Sequence, residues 1–388
     1  MKIAVVTGTR ADWGLLSPVA HALNQLPDVD VEVIATNMHL NPKYGNTLDE
    51  IRNDGFQIAA QVAMNEEDDS RRATAEAMAQ CASGMADALS ALNPDLLLIL
   101  GDRYEMLAVA SVATVLCIPI VHIAGGEISE GAIDDNIRHA ITKLSSLHLV
   151  ATEPYRQRVI AMGEQPDRVV NTGAIGVNNI LTLPLMTPQQ LADSLGFGVD
   201  ENTLLVTLHP TTRSERPTAE TIDALIEALD QFRDNKVLFT YPNNDADGEV
   251  IIDRINRYAA ANPQRVNVVP SLGRLRYLSA LKYAGAVVGN SSSGIVEVPS
   301  MNIPTVNIGI RQRGRIAADS VIHCETDATS IADAIRFALS EEGKRIARET
   351  ENPYYQPDTL KRMVDAITSV NPSELLVKRF YDIPHTEI

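Results

Sequence analysis

Residues 96–105 read LLLILGDRYE: five apolar residues in a row, then a glycine and an aspartate, then the start of a helical stretch. A strand that is apolar at every position is typical of a parallel sheet covered by helices on both faces. Open sheets of this kind bind their ligands at the carboxyl ends of the strands. The stretch therefore predicts a doubly wound α/β sheet with Asp102 at its ligand-binding edge.

Similar apolar runs recur along the chain and alternate with helical spacing, which indicates βαβ units. We predict strands over residues 3–7, 31–36, 96–100, 118–123, 147–151, 204–208, 236–241, 266–269, 286–289 and 305–308. The 388 residues suffice for two such sheets. Residues 172–200 are rich in glycine and proline and show no clear strand, so we place the domain junction there. The predicted units are domains 1–172 and 173–370 and a tail, 371–388, that packs back near the junction.

The charge balance excludes some classes of partner. Fifty acidic and 33 basic residues give a net charge of −17, and this field repels phosphate backbones and anionic lipid surfaces. We therefore expect neither nucleic acid nor membrane as a partner. Three widely spaced cysteines fit no disulfide framework or zinc spacing, and the N-terminus lacks the apolar core of a secretion signal, so we expect a cytoplasmic protein.

Residues 107–126 carry no Lys, Arg, Asp or Glu and have about the length of a membrane span. Pro119 would break a spanning helix, and His122 would lie in hydrocarbon. We therefore predict a buried helix followed by a buried strand.

Four carboxylates follow consecutive strands of the first half: Asp102, Glu127, Asp134 and Asp135. Burial and like-charged neighbours raise the proton affinity of a carboxyl, as a general acid or base requires. The alternative for Asp134 is an ordinary ion pair with Arg138, one helical turn further on.

In the second half, residues 289–297 read GNSSSGIVE and follow a predicted strand. Free backbone N–H groups and the hydroxyls of Ser291, Ser292 and Ser293 predict an anion site there, the alternative being a serine-capped helix. Glu297 is suited to accept from two adjacent sugar hydroxyls. His209 also follows a strand and could donate to a phosphate or to a glycosidic oxygen.

Arginines at strand ends could complete the anion site. Arg10 follows the turn at Gly8, and Arg311 follows the strand over residues 305–308, although solvated arginines are the alternative. Arg103 and Asn243, in loops after other strands, are further candidates for contacts with nucleotide or phosphate. The chain lacks a dinucleotide fingerprint, a Walker loop and metal-binding motifs, which weighs against hydride transfer, ATP hydrolysis and a metal centre.

Eight strings in order, TGTRAD, GDRYEMLAVA, HIAGGEISEGAIDDNIRHAITKLS, TGAIGVNN, LHPTT, YPNND, GNSSSGIVE and IGIRQRGR, make residues 2–370 resemble the hydrolysing UDP-N-acetylglucosamine 2-epimerases of sialic acid and legionaminic acid biosynthesis. The resemblance implies a GT-B-like fold, in which two Rossmann-type domains face each other over a cleft. It also implies a homo-oligomer, dimer or tetramer, with no cofactor and no metal. The implied reaction converts UDP-N-acetylglucosamine and water to UDP and N-acetylmannosamine through a 2-acetamidoglycal.

The resemblance also implies roles for single residues. Asp102 and Asp134 match the family's catalytic carboxylates; the positions that match contacts to the diphosphate and the nucleotide are Arg10, His209, Ser291, Ser292, Glu297 and Arg311. Two positions depart from the pattern of some members: Ala124 stands where those have a catalytic glutamate, and Leu15 where the animal type has a lysine. Glu127 or Asp135 could then take over a proton transfer.

Several related activities remain open from sequence. They are the same chemistry on a 4-amino-substituted UDP sugar or a GDP-linked amino sugar, a non-hydrolysing 2-epimerase, a glycosyltransferase of GT-B fold, and a catalytically silent nucleotide-sugar sensor.

Overall fold

The structure is a computed structural model that describes residues 1–42, 47–64, 68, 70–214 and 216–383. In this part of the chain the first lobe is built on a seven-stranded parallel sheet with the order β3-β2-β1-β4-β5-β6-β7. Its strands are β1 (Lys2–Thr7), β2 (Asp30–Thr36), β3 (Ile58–Val62), β4 (Leu96–Leu100), β5 (Ile120–Ile123), β6 (Leu147–Val150) and β7 (Val169–Asn171).

The second lobe holds, among the described residues, a six-stranded parallel sheet with the order β10-β9-β8-β11-β12-β13. Its strands are β8 (Thr203–Thr207), β9 (Lys236–Thr240), β10 (Val266–Val269), β11 (Ala286–Gly289), β12 (Thr305–Ile308) and β13 (Val321–Cys324). Two Rossmann-like sheets in a GT-B-like arrangement confirm the predicted fold class. All ten predicted strands are present, within two residues of the predicted ends; β3, β7 and β13 were not predicted.

Helices cover both faces of each sheet. Those of the first half are α1 (Arg10–Asn24), α2 (Leu48–Asn53), α3 (Arg71–Leu92), α4 (Tyr104–Val115), α5 (Asp134–Leu144), α6 (Glu153–Ala161), α7 (Ile175–Thr182) and α8 (Pro188–Leu195). The later ones are α9 (Thr218–Leu229), α10 (Gly248–Ala261), α11 (Gly273–Tyr283), α12 (Ser293–Val296), α13 (Ala328–Leu339), α14 (Glu341–Glu349), α15 (Thr359–Thr368) and α16 (Pro372–Leu375).

The stretch considered as a membrane span divides as predicted. Helix α4 ends at Val115, and the buried strand β5 follows after Pro119. Among the described residues, no helix has the length and apolar character needed to cross a membrane.

The last helices return to the first lobe. Met363 and Ile367 of α15 and Leu375 of α16 are buried in one apolar cluster with Trp13 and Leu16 of α1. The C-terminal part of the chain therefore rests on the lobe that contains the N-terminus. Residues 384–388 of the predicted tail lie outside the described residues, and the division between residues 172 and 173 stays a prediction.

Candidate functional site

A cavity of about 370 Å³ lies between the lobes, at the carboxyl ends of both sheets. Twelve of the thirteen predicted site residues line it, and Asp135 does not. Those twelve are Arg10, Asp102, Arg103, Glu127, Asp134, His209, Asn243, Ser291, Ser292, Ser293, Glu297 and Arg311. One cavity thus contains residues that follow strand ends of both sheets and lie up to 301 positions apart in the sequence.

The two lobes are held together beside the cavity by buried polar contacts. Arg103 donates to Asn244 Oδ1 over 2.6 Å and lies 3.5 Å from Asp245. The amide of Asn244 in turn donates to Asn37 Oδ1 and Tyr104 OH, both over 2.9 Å. Arg103 also donates to Glu105 over 2.9 Å. Its guanidinium therefore joins the lobes.

Asp102 is held by an arginine of its own lobe. Arg138, buried in α5, donates to the Asp102 carboxylate. It also donates to Ser129 Oγ and to the carbonyl of Glu127, and each of these two bonds is 3.0 Å long. Burial alone would raise the pKa of Asp102, but the charges of Arg138 and Arg315 outweigh it and lower the pKa. Asp102 is thus a fixed negative charge at the cavity wall.

Asp134 has the opposite electrostatic surroundings. It opens α5, and its nearest cation is Arg311 of the second lobe, 3.7 Å away. Burial and the like charges of Asp102 and Asp245 raise its pKa to about 7, against the opposing effect of Arg311. Arg138 pairs with Asp102 and Asp135 instead, so the ion pair suggested for Asp134 and Arg138 is not formed. Asp134 can take up or release a proton near neutral pH.

The other two predicted carboxylates have structural partners. Glu127 is paired with Arg315 over 2.8 Å, and both side chains are almost fully buried. Asp135 accepts the backbone N–H of Ser129 over 2.6 Å and lies 3.4 Å from Arg138. Asp135 therefore holds the loop that precedes α5.

His209 is a neutral donor. Its Nδ1 accepts the backbone N–H of Asn243 over 3.2 Å, which leaves the ring proton on Nε2. Burial, with the charges of Arg311 and Arg103, keeps the pKa of His209 well below its usual value. The side chain of Asn290 accepts the backbone N–H of His209 over 2.7 Å and donates to the backbone carbonyl of His209 over 2.8 Å. These two bonds fix the backbone of His209.

The serine loop has less helix behind it than the sequence suggested. Helix α12 has only four residues, and Ser292 makes no side-chain cap at its start. Ser293 donates to Glu297, and its hydroxyl lies 2.7 Å from Tyr277 OH. Burial raises the pKa of Glu297. Gly176 makes room for this carboxylate, because a Cβ there would lie 2.2 Å from Glu297 Oε1.

The remaining cations also border the cavity. Arg10 donates to the carbonyl of Pro270 in the second lobe over 2.8 Å, and burial lowers its pKa to about 10, so it stays charged at neutral pH. Arg311 donates to the carbonyl of Asn290 over 3.2 Å. Both arginines therefore bring positive charge to the cavity, and Arg311 does so beside the serine loop.

One part of the cavity lining, here called the apolar floor, has apolar side chains only. It is formed where consecutive strands of the first sheet end, by Leu100, Ala124, Ala151 and Ala174. Ala124 has a left-handed backbone with φ of 67°. A small side chain at this position leaves space above the sheet edge, next to Asp102.

No role was predicted for Asp12 or Glu105, although Asp12 stands in the string TGTRAD and Glu105 in GDRYEMLAVA. Asp12 lines the cavity, and burial raises its pKa to about 7. Glu105 is fully buried against Gly8, where a Cβ would lie 2.4 Å from its carboxylate oxygen. The signal for Asp12 was an acid two residues after Arg10, in the first turn of α1. Glu105 faces inward from α4, and its position could not be read from spacing.

Comparison with known proteins gives a consistent result. A family model described as UDP-N-acetylglucosamine 2-epimerase matches residues 21–368. The chain is 35% identical to the GDP/UDP-N,N'-diacetylbacillosamine 2-epimerase (hydrolyzing) of Campylobacter jejuni, over 98% of this chain and 99% of that one. It is 32% identical to the UDP-N-acetylglucosamine 2-epimerase of Neisseria meningitidis, over 98% and 99% of the two chains.

A solved structure, the S. aureus MnaA-UDP co-structure, has the same fold. It superposes with a TM-score of 0.79 at 17% identity, and the match covers 98% of this chain and 99% of that one.

Proposed function

Because the chain belongs to the UDP-N-acetylglucosamine 2-epimerase family, we propose that it is a hydrolysing 2-epimerase that converts UDP-N-acetylglucosamine and water to UDP and N-acetylmannosamine. One observation carries the proposal: carboxylates of one lobe and hydroxyls, arginines and a histidine of the other line a single cavity. The leaving diphosphate needs hydrogen-bond donors and positive charge around it, and the sugar needs carboxylates on its other side.

The second lobe binds the diphosphate. The hydroxyls of Ser291 and Ser292, the guanidinium of Arg311 and the Nε2–H of His209 supply donors and positive charge to an anion in the cavity. A neutral histidine suits this role, because it donates a hydrogen bond without needing to be protonated. Glu297 accepts hydrogen bonds from the ribose hydroxyls.

The first lobe eliminates the diphosphate. Asp134 takes the proton from C2, and the electron pair of that bond forms the C1–C2 double bond while the C1–O bond breaks and UDP departs with its electrons. The products of this step are UDP and a 2-acetamidoglycal. The fixed negative charge of Asp102 stabilises the positive charge that develops at C1. This attraction is stronger in the transition state than with the neutral sugar of the substrate.

Hydration completes the reaction. Water adds its oxygen to C1, and C2 receives a proton on the face opposite to the one that lost it. The configuration at C2 is thereby inverted, and the sugar is released without its nucleotide. The ion pair with Arg315 gives Glu127 a positioning role, since it fixes a cation that also acts on Asp102.

The apolar floor favours a second candidate substrate. Leu100, Ala124 and Ala174 offer no polar group to a sugar hydroxyl, whereas a 6-deoxy methyl or a second acetamido group would bury apolar surface there. A relative of this chain is named for diacetylbacillosamine, a sugar with both groups. The same elimination and hydration would then release a 2,4-diacetamido sugar.

The decisive experiment incubates the protein in D₂O with UDP-N-acetylglucosamine, UDP-diacetylbacillosamine and GDP-diacetylbacillosamine, each alone. NMR then follows the free sugar, UDP or GDP, and deuterium at C2. We expect one donor to give free inverted sugar with one deuterium at C2. An equilibrium of two nucleotide sugars would identify a non-hydrolysing epimerase; binding without turnover would identify a sensor. Turnover only with an added acceptor sugar would identify a glycosyltransferase.

A further inference from the structure

We propose that Lys378, near the C-terminus, is a positioning residue for the catalytic carboxylates; the proposal rests on the function proposed above. Its ammonium donates to the carbonyls of Lys143 and Ser145, both over 2.7 Å, and the carbonyl of Thr142 lies 3.3 Å away. These carbonyls end helix α5. A cation there satisfies acceptors that the helix itself leaves open and complements the helix dipole.

The segment that carries Lys378 is anchored by Lys378 itself and by two residues that follow it. Glu164, almost fully buried, accepts from Lys378 over 2.8 Å and from Lys143 over 2.6 Å. Tyr381 donates its backbone N–H to Gly163 over 2.9 Å. The ring of Phe380 covers Gly163 so closely that a Cβ there would lie 2.3 Å from it. The ammonium is therefore held in one place by the surrounding structure.

Helix α5 links Lys378 to the site. Asp134 opens the helix, and Arg138, one turn later, holds Asp102. Both residues therefore move with any shift of α5 along its axis. Capping the far end of this helix restrains such a shift.

A second path leads from the same helix end to Asp102. The hydroxyl of Thr142 lies 3.0 Å from the carbonyl of Arg138 and 3.3 Å from His122 Nδ1. His122 Nε2–H donates to the carbonyl of Gly101 over 2.7 Å, directly before Asp102. Lys378, Thr142 and His122 thus connect the tail with the backbone that presents Asp102.

The test compares Lys378→Met, which keeps most of the apolar stem without the charge, with Lys378→Arg, which restores donors and charge. Arg379→Met, at the exposed neighbouring position, is the matched control. We expect Lys378→Met to lower kcat about tenfold, because small misplacements of catalytic groups are costly. KM and the Kd of UDP should stay unchanged, since the second lobe binds the nucleotide. Lys378→Arg should recover most of kcat, and Arg379→Met should match the wild type.

An unchanged kcat in Lys378→Met would overturn the proposal. A fall in kcat that is fully explained by a smaller fraction of protein able to bind UDP would overturn it as well. Lys378→Gln provides a second variant if Lys378→Met does not fold. It removes the charge and keeps a polar head group, and an unchanged kcat in this variant would also contradict the positioning role.

Hydrogen exchange tests the coupling without any turnover. In Lys378→Met, or in Lys378→Gln if the former does not fold, we expect faster exchange in a peptide covering residues 100–106 as well as at the end of α5. Faster exchange confined to the end of α5 would refute the coupling. A wild type that hydrolyses no nucleotide sugar would instead refute the proposed function, and the exchange result would still decide the role of Lys378.

Discussion

Asp102 is paired with a cation of its own lobe, whereas Asp134 is paired with a cation of the other lobe. Asp102 is held by Arg138 of its own lobe, and its pKa is lowered. Asp134 faces Arg311 and Asp245 of the other lobe, and its pKa is raised to about 7 by burial first and then by like charges. Two carboxyls at one sheet edge are thereby kept in different protonation states. Such a difference divides the roles of charge stabiliser and base between them.

The largest expected effect comes from removing the carboxylate of lowered pKa, Asp102. Asp102→Asn removes the charge that stabilises the transition state, so kcat should fall by about 10²–10⁴. UDP binding, measured by calorimetry, should be nearly unchanged because the nucleotide is bound by the second lobe. Full turnover by this variant would remove Asp102 from the mechanism.

Asp134→Asn removes the carboxyl of raised pKa. Loss of the base should lower kcat by at least about 10² and abolish deuterium incorporation at C2. The matched control is Asp135→Asn, one position along α5, whose carboxylate does not line the cavity and holds the backbone of Ser129. It should lower thermal stability more than turnover. The opposite ranking of the two variants would exchange their roles.

Glu297→Gln sharpens the comparison by testing the binding lobe alone. A neutral amide accepts hydrogen bonds from the ribose more weakly than a carboxylate does, so the Kd of UDP should rise about tenfold. The value of kcat at saturating substrate should stay within about twofold, because the proposed elimination and hydration assign no step to Glu297. A large fall in kcat with unchanged UDP affinity would contradict the assignment.

The smallest effect is a shift in pH dependence. A base must be ionised, so kcat/KM should be constant above the pKa of Asp134, about 7, and decline as the pH falls below it. Asp245→Asn removes a like charge and leaves Arg311 less neutralised, and both changes lower that pKa. The acidic limb of kcat/KM should therefore move to lower pH. A limb that moves to higher pH, or that does not move, would contradict this account of Asp134.

The sequence predicted the interior of both sheets better than their edges. The predicted runs at the centre, such as residues 96–100, are apolar throughout because helices cover both faces. The three missed strands, β3, β7 and β13, all lie at a sheet edge. Strand β3 alternates between more and less exposed residues, and β7 has only three residues. Such short or half-exposed runs resemble loops in a single sequence.

The candidate site shows a similar limit. The rule that ligands bind at strand ends located the loops, but it could not choose between Asp134 and Asp135. Neighbouring residues on a helix point about 100° apart, and here Asp134 lines the cavity while Asp135 turns towards Ser129 and Arg138. Pairing across the structure was equally out of reach: spacing suggested that Arg138 would pair with Asp134, yet it holds Asp102.

The most direct test of the account measures the two protonation states themselves. Carboxyl ¹³C NMR of aspartate-labelled protein is followed against pH, and the signals are assigned by their loss in Asp134→Asn and Asp102→Asn. We predict that the Asp134 signal titrates near pH 7 and that the Asp102 signal shows no titration between about pH 5 and 8. Two carboxyls that both titrate below pH 5, or an Asp102 that titrates above Asp134, would contradict it.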